Sequence, residues 1–389
     1  IIIALEGMSL VENNYGLGMK KEVTNSFIQS MQQPFGKKDF FYIKDNVFCL
    51  LCLNLSIKSE VHMLANKIHR QISKGFKVND TQIPMSSTIG YFSYPNHLKT
   101  LFDINEVIDY AVSDHFYKTK DSVVALTRLE KKDYRRRIMI ENAIQNAINN
   151  RTIEVVYQPI YSILKKQFTS LEALARLTSD DLGFIPPDEF IRIAEQNGMI
   201  NRLGIAIFEK VCSFIEKEQL KQYGIEYVEI NLSVAQCMQA NLVDDFLKVI
   251  KRYQIDPKMI NLEITETAAA TSTKQLIKSI NEFNRYGISF SLDDYGTGYS
   301  TLDYLSKLPL LFVKIDKSIV WSAFEDEKAK ILLENTIAMM KKLNLKIIAE
   351  GVENREQAKM IIRMGADYIQ GYFFSKPLKE AEIIEKFSY

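Results

Sequence analysis

The stretch ISFSLDDYGTGYS, Ile288 to Ser300, alternates apolar Ile288, Phe290 and Leu292 with polar residues, then ends in two adjacent aspartates, Asp293 and Asp294. Period-two alternation marks a half-buried strand. The Gly296-Thr297-Gly298 run that follows marks a loop whose backbone can approach a ligand or hinge. Two like charges at the end of a buried strand repel one another. Their placement asks for a compensating cation.

The same pattern recurs on both sides. Short apolar or alternating runs finish in a polar residue: SLEALARL (Glu172), YVEINLS (Asn231), INLEITE (Glu263), LFVKIDKS (Lys314), KIIAEGVE (Glu350) and DYIQGYFF (Gln370). With Asp293 in its place, successive marks lie 59, 32, 30, 21, 36 and 20 residues apart, most of them room for one strand and one helix. The first gap holds two helices, PDEFIRIAEQNG and NRLGIAIFEKVCSFIEKEQLKQYG. EVVYQPIYS upstream brings the strands to eight, which predicts a (β/α)8 TIM-like barrel, a fold of about 250 residues whose strand ends share one rim. Any single polar residue here also reads as a helix cap or turn-former. Seven in register, three of them Glu where caps prefer Ser, Asp or Asn, favour the rim.

At 389 residues, 47% hydrophobic and 25% charged, the chain has the size of two soluble domains. Lys and Arg (49) nearly cancel Asp and Glu (48), leaving +1, so nothing global attracts nucleic acid or anionic lipid. Its four cysteines, Cys49, Cys52, Cys212 and Cys237, predict reduced thiols and a cytoplasmic setting. The Cys49–Cys52 CxxC stands without a second pair and is expected to be buried as small hydrophobes. The four histidines, 62, 69, 97 and 115, show no zinc-like spacing. No stretch reaches the ~20 apolar residues of a membrane span. The first residues, IIIALEG, lack a starting Met and are compatible with an upstream sensor or membrane segment.

The rim collects Glu172, Asn231, Glu263, Asp293, Asp294, Lys314, Glu350 and Gln370. One lysine cannot balance five carboxylates, whereas metal ions can. All ligands are oxygens, which selects a hard cation such as Mg²⁺ or Mn²⁺ over zinc. Asp293 can bridge two ions while Asp294 binds one of them. Two ions about 3.5–4 Å apart are the usual device for phosphate-ester hydrolysis, lowering the pKa of a water and neutralising phosphoryl charge. A spare carboxylate then takes the proton. Lys314, two residues before Asp316 and on the same strand face, can steady the water or the phosphate. The substrate itself is left open by these residues.

From about residue 135 to 389 the chain resembles an EAL domain, the phosphodiesterase that opens cyclic di-GMP to linear pGpG. The resemblance rests on YQPI, LEALARL, EINLS, LEITET, DDYGTGYSTLDYLSKLP, VKIDKSIV, IAEGVEN and IQGYFFSKPL, in that order. It implies that Glu172, Asn231, Glu263 and Asp293 hold the first ion, and Asp293 and Asp294 the second, with Glu350 nearby. It implies Glu350 as general base and Lys314 as the group that positions the water. Gln158, Arg176, Glu353 and Gln370 match positions that contact the dinucleotide or support the site. Glu266 matches the anchor of the Asp-Asp-Tyr-Gly-Thr-Gly loop, which in the family couples homodimerisation to metal binding. Tyr295 replaces a more usual Phe. Calcium, larger and less demanding of geometry, is expected to occupy the site and inhibit. A cyclic di-GMP receptor that binds without cutting is the alternative; such receptors usually lack a ligand or base, and none is missing here.

Residues 1–126 resemble, more faintly, a degenerate GGDEF domain, joined by a linker helix over 127–150 to the EAL domain at 151–389. The signature turn reads Lys44-Asp45-Asn46-Val47-Phe48. The first metal aspartate is replaced by Ala4, a base-contacting Asn by Glu12 and a guanine-reading Asp by Lys21. Cyclase activity is therefore not expected, and a scaffold or relay role is.

Overall fold

The computed structural model describes the chain except residues 36–38, 45, 54, 56–57, 79–80, 95–99, 101–103, 106, 109, 111–121, 127, 271–273, 297–304, 306 and 389. Asp45, His97, His115, Thr297 and Gly298 of the reading above lie outside the described residues. Two units emerge, Ile1–Ile138 and Met139–Tyr389.

The first unit is built on strands β1 (Ile2–Glu6), β2 (Phe40–Lys44), β3 (Val47–Leu50), β4 (Phe76–Val78), β5 (Thr81–Ile83), β6 (Ser86–Tyr91) and β7 (Val123–Ala125). Five of them form a sheet in the order β2-β3-β1-β6-β7, and β4 pairs with β5. A central strand must bury both faces, which is why β1 is the apolar run IIALE with Ile2, Ile3 and Ala4 wholly enclosed. Helix Lys58–Ile72 contributes Val61, Ala65, Ile68 and Ile72 to the core at helical spacing. Phe27 meets Phe40, Phe48 and Phe76 edge-on at 4.7–6.1 Å between ring centroids. Helix Met8–Phe35 breaks at Gly16, whose φ of 83° leaves the helical region. Cys49 and Cys52 are half-buried, not enclosed as expected: the CxxC falls where β3 emerges from the core.

The second unit opens within helix Arg128–Asn150, whose Ile140, Ala143, Ile144 and Ala147 pack with Leu177, Ile185 and Phe190. Strands β8 (Glu154–Ser162), β9 (Gln167–Ser179), β10 (Gly183–Ile185), β11 (Tyr227–Asn231), β12 (Ile260–Thr265), β13 (Ser289–Tyr295), β14 (Phe312–Ile315), β15 (Lys346–Ala349) and β16 (Tyr368–Ile369) complete it. Their order is β10-β9-β11-β12-β13-β14-β15-β16-β8, with β8 also paired to β9, so eight strands close a barrel and β10 adds to its side. From β9 to β16 every neighbouring pair is parallel. β8 is antiparallel to both β9 and β16, a departure from a uniform (β/α)8 ring. The reason is local. Four residues separate Ser162 from Gln167, whereas a parallel crossover needs about a dozen or more.

Amphipathic helices cover the barrel. Leu242–Tyr253 buries Leu242, Val243, Phe246, Val249 and Ile250, places Asp244 and Asp245 in its first turn and Lys251 and Arg252 in its last, and so suits its dipole. Each burial contributes about 1.5–3 kcal/mol. That core holds the strand ends in place. Among the described residues no helix is long and apolar enough to cross a membrane.

Candidate active site

The barrel strands deliver their marked residues to one point, and Lys314 stands at its centre. Lys314 lies within FVKI, a strand buried at every position, and is 0% exposed. Its Nζ is 2.8 Å from Glu263 Oε1, 2.9 Å from Glu350 Oε1, 3.4 Å from Glu172 Oε2, 3.6 Å from Asp293 Oδ1 and 3.8 Å from Glu229 Oε2. Four strands, and the residue that follows β15, thus supply a carboxylate each to one ammonium. Gln370 Nε2 donates to Glu172 Oε2 at 2.5 Å, and Asn231 Nδ2 to Glu172 Oε1 at 3.5 Å, fixing that carboxylate from β16 and β11.

A bulge interrupts the alternation at the paired aspartates. Opposite β14 the register of β13 slips between Leu292 and Tyr295, which face Val313 and Ile315, so β13 carries one extra residue. Asp294 takes up the slip with φ of 56°, a left-handed geometry that Asp tolerates better than most residues. Its N–H donates to Asp293 Oδ1 at 2.9 Å. The next residue, Gly296, has φ of 98° and donates its N–H to Glu266 Oε2 at 2.7 Å. A Cβ at Gly296 would stand 1.9 Å from Ile319 Cδ1, and the positive φ strains any other residue there. At β16 a Cβ on Gly371 would meet Val352 O at 2.1 Å; glycine there lets the Gln370 strand end lie against the segment after Glu350.

Burial dominates the electrostatics. It drives the Asp294 carboxyl up to about 6, with Asp293 and Asp316 adding repulsion. Burial also raises Glu263, Asp293 and Glu350 above the ordinary carboxylate range, and for each the Lys314 charge offsets only part. For Lys314 itself burial acts downward, yet Asp293, Glu172, Glu263 and Glu350 together hold it well above the usual lysine range. A site that pushes several acids toward protonation is short of positive charge.

Comparison with known proteins assigns this arrangement. Residues 141–377 match the EAL domain family. The chain belongs to the EAL-domain family. The signaling protein YkoW of Bacillus subtilis is 32% identical over 321 residues, covering 82% of this chain and 40% of that protein. The cyclic di-GMP phosphodiesterase NbdA of Pseudomonas aeruginosa is 28% identical over 338 residues, 87% of this chain and 43% of its own. The chain therefore spans less than half the length of these two relatives. A solved complex of the PaMucR phosphodiesterase with c-di-GMP superimposes with a TM-score of 0.59 at 28% identity, covering 63% of this chain and 99% of that one.

Within the EAL domain, Glu172, Asn231, Glu263, Asp293, Lys314, Glu350 and Gln370 meet as a cluster, and Asp294 joins them through the bulge. Gln158, opposite Glu172 in register, donates to Ser375 O at 3.1 Å. The Arg176 guanidinium donates to Ala175 O at 2.9 Å; burial lowers it and Glu172 pulls the other way. Glu353 stands apart, its side chain exposed and its N–H donating to Gln357 Oε1 at 2.8 Å. The fully buried Glu229 was not among the expected rim residues. The signal was available: it precedes Asn231 by two residues on a strand, and so shares its face.

The donor set suits hard cations. Glu263 Oε1 faces the Lys314 ammonium at 2.8 Å, and among the described residues Gln370 Oε1 has no hydrogen-bond partner. Such an atom is costly unless a cation or donor reaches it. Among the described residues no three acidic, imidazole or thiolate groups converge at metal-ligand spacing; the carboxylates ring the Lys314 ammonium instead.

Proposed function

We propose that this chain hydrolyses cyclic di-GMP to linear pGpG with two Mg²⁺ or Mn²⁺ ions held by Glu172, Asn231, Glu263, Asp293 and Asp294. The observation that carries the reading is the uninterrupted set of oxygen donors around Lys314. The names of NbdA, a cyclic di-GMP phosphodiesterase, and of the c-di-GMP complex of PaMucR support the substrate. When bound, the ions lower the pKa of a water and neutralise charge on the phosphoryl oxygens.

The protein's own side chains do the rest. Glu350 accepts the water's proton at a carboxylate oxygen, and burial keeps its affinity for that proton high. Lys314 Nζ, fixed by its ring of carboxylates, orients the attacking water. Gln370 and Asn231 hold Glu172 in one rotamer. Arg176 offers a half-buried cation toward a phosphate, Gln158 supports the wall that carries it, and Glu353 reaches for the dinucleotide from outside. Glu266 fixes the backbone after Asp294, so loop position and ligand position are linked. Calcium takes the same oxygens at longer distances and inhibits.

Residues 1–126 serve as a degenerate GGDEF-like scaffold or relay, with 127–150 as linker helix and 151–389 as the phosphodiesterase. The turn at Asn46 between β2 and β3 and an apolar Ala4 in the central strand support that reading. The working form is a homodimer through the EAL domain; exposed Trp321, Phe324, Ile331 and Leu332 on the helices after β14 favour one.

The test is incubation of the purified chain with cyclic di-GMP and Mg²⁺ or Mn²⁺, followed by chromatography. Linear pGpG is expected. Intact dinucleotide under conditions that show binding would favour the receptor reading.

A further inference from the structure

Glu229 has no duty in the mechanism above, although it is buried as deeply as any acid in the site. It is 0% exposed, and among the described residues the groups that favour its ionised form are Lys314, by its charge, and Glu263, by a side-chain hydrogen bond. Its neighbour in register on β12, Asn261, is committed elsewhere: Asn261 Nδ2 donates to Ser289 at 2.8 Å and its Oδ1 accepts from Ser291 at 2.6 Å. Among the described residues the ion-pair partner of Glu229 is Lys314, at 3.8 Å.

Lys314 needs such a partner. The other four carboxylates around it, Glu172, Glu263, Asp293 and Glu350, have metal or water to serve, so none belongs to the lysine alone. A lysine is a mobile point charge on a flexible stem, and divalent cations repel it. We propose that Glu229 is the fixed counter-ion of Lys314, a positioning residue that holds the ammonium in place and cancels its charge beneath the metal-binding layer. The inference rests on the proposed function for the duties of the other four acids.

The experiment is a double-mutant cycle in the full chain with Glu229→Gln, Lys314→Met and both, reading Mn²⁺ affinity by calorimetry and cyclic di-GMP turnover. Loss of an outer partner of a metal site typically costs 10–100-fold. Glu229→Gln is therefore expected to weaken Mn²⁺ binding about tenfold and to lower kcat about tenfold, with KM changed less than about twofold. In the Lys314→Met background, where no ammonium is left to position or neutralise, Glu229→Gln leaves Mn²⁺ affinity unchanged. Glu229→Asp, which keeps the charge, restores most of the affinity. Wild-type Mn²⁺ affinity and kcat in Glu229→Gln, an equal loss in both backgrounds, or no recovery with Asp overturns the proposal. If Glu229→Gln alone does not fold, folding of the double variant supports the pairing and its failure overturns it. A wild-type chain inert toward cyclic di-GMP refutes the proposed substrate, while the Mn²⁺ cycle still decides the role of Glu229.

Discussion

Two central strands of similar length, β1 and β14, bury their contents in opposite ways. In β1 the residue at the middle of the sheet is Ala4, and the buried polar groups near it are Ser87 and Thr88 of β6. In β14 the corresponding depth holds Lys314, ringed by Glu172, Glu229, Glu263, Asp293 and Glu350. Apolar filling is the stable solution for a sheet interior, and β1 adopts it. Burying a charged cluster with an imbalance of sign works against stability. A barrel retains such a cluster where the charges have work to do. The contrast separates a strand that supports a fold from one that serves a reaction.

The largest effects belong to the charged side of that contrast. Glu350→Ala is expected to lower turnover of cyclic di-GMP by roughly 10²–10⁴-fold, the range for a positioned general base, with folding unchanged by circular dichroism. Thorough chelation abolishes turnover, and Mg²⁺ or Mn²⁺ but not Ca²⁺ restores it. Hydrolysis that survives either treatment breaks the assignment.

Next comes the apolar side. Ala4→Asp places an unpaired carboxylate in a fully enclosed position and should destabilise the first unit by about 3–5 kcal/mol, read as a separate denaturant transition. An unchanged transition would mean that β1 accepts charge as β14 does. Gly296→Ala forces the backbone after Asp294 out of its φ of 98° and against Ile319. Strain of about 1–3 kcal/mol is expected, with loss of activity exceeding that of stability.

The smallest effect concerns pH. Acids whose folded pKa is raised bind protons more tightly folded than unfolded, so their contribution to stability falls as pH rises from the ordinary carboxylate range to the folded value. For Asp294 that window closes at about 6. Metal-free protein should therefore lose thermal stability between about pH 4 and 6 from this group, and Asp294→Asn should raise the metal-free midpoint by about 2–4 °C above that window. A lowered midpoint would show that the ionised Asp294 is compensated within the chain.

Much of the site was legible because its residues interrupt apolar runs at or near the strand ends. Glu172, Asn231, Glu263, Asp293, Lys314, Glu350 and Gln370 each break a buried pattern, and strand periodicity alone aligns them. Glu229 breaks the same pattern two residues before Asn231, on the same strand face. The direction of β8 could have been read from the four-residue turn after Ser162, which excludes a parallel crossover. The bulge at Asp294 could not: alternation predicts opposite faces for adjacent residues, and only the pairing of β13 with β14 reveals the extra one. Half-burial of Cys49 and Cys52 was hidden for a similar reason, since sequence does not say where a strand leaves its core.

The most direct measurement is anomalous scattering from crystals of the chain grown with manganese. The account predicts two peaks about 3.5–4 Å apart, as in two-metal phosphoryl-transfer sites. Both should lie among Glu172, Asn231, Glu263, Asp293 and Asp294, with Lys314 still against Glu229. Peaks elsewhere on the molecule, or none between those side chains at saturating manganese, would contradict it.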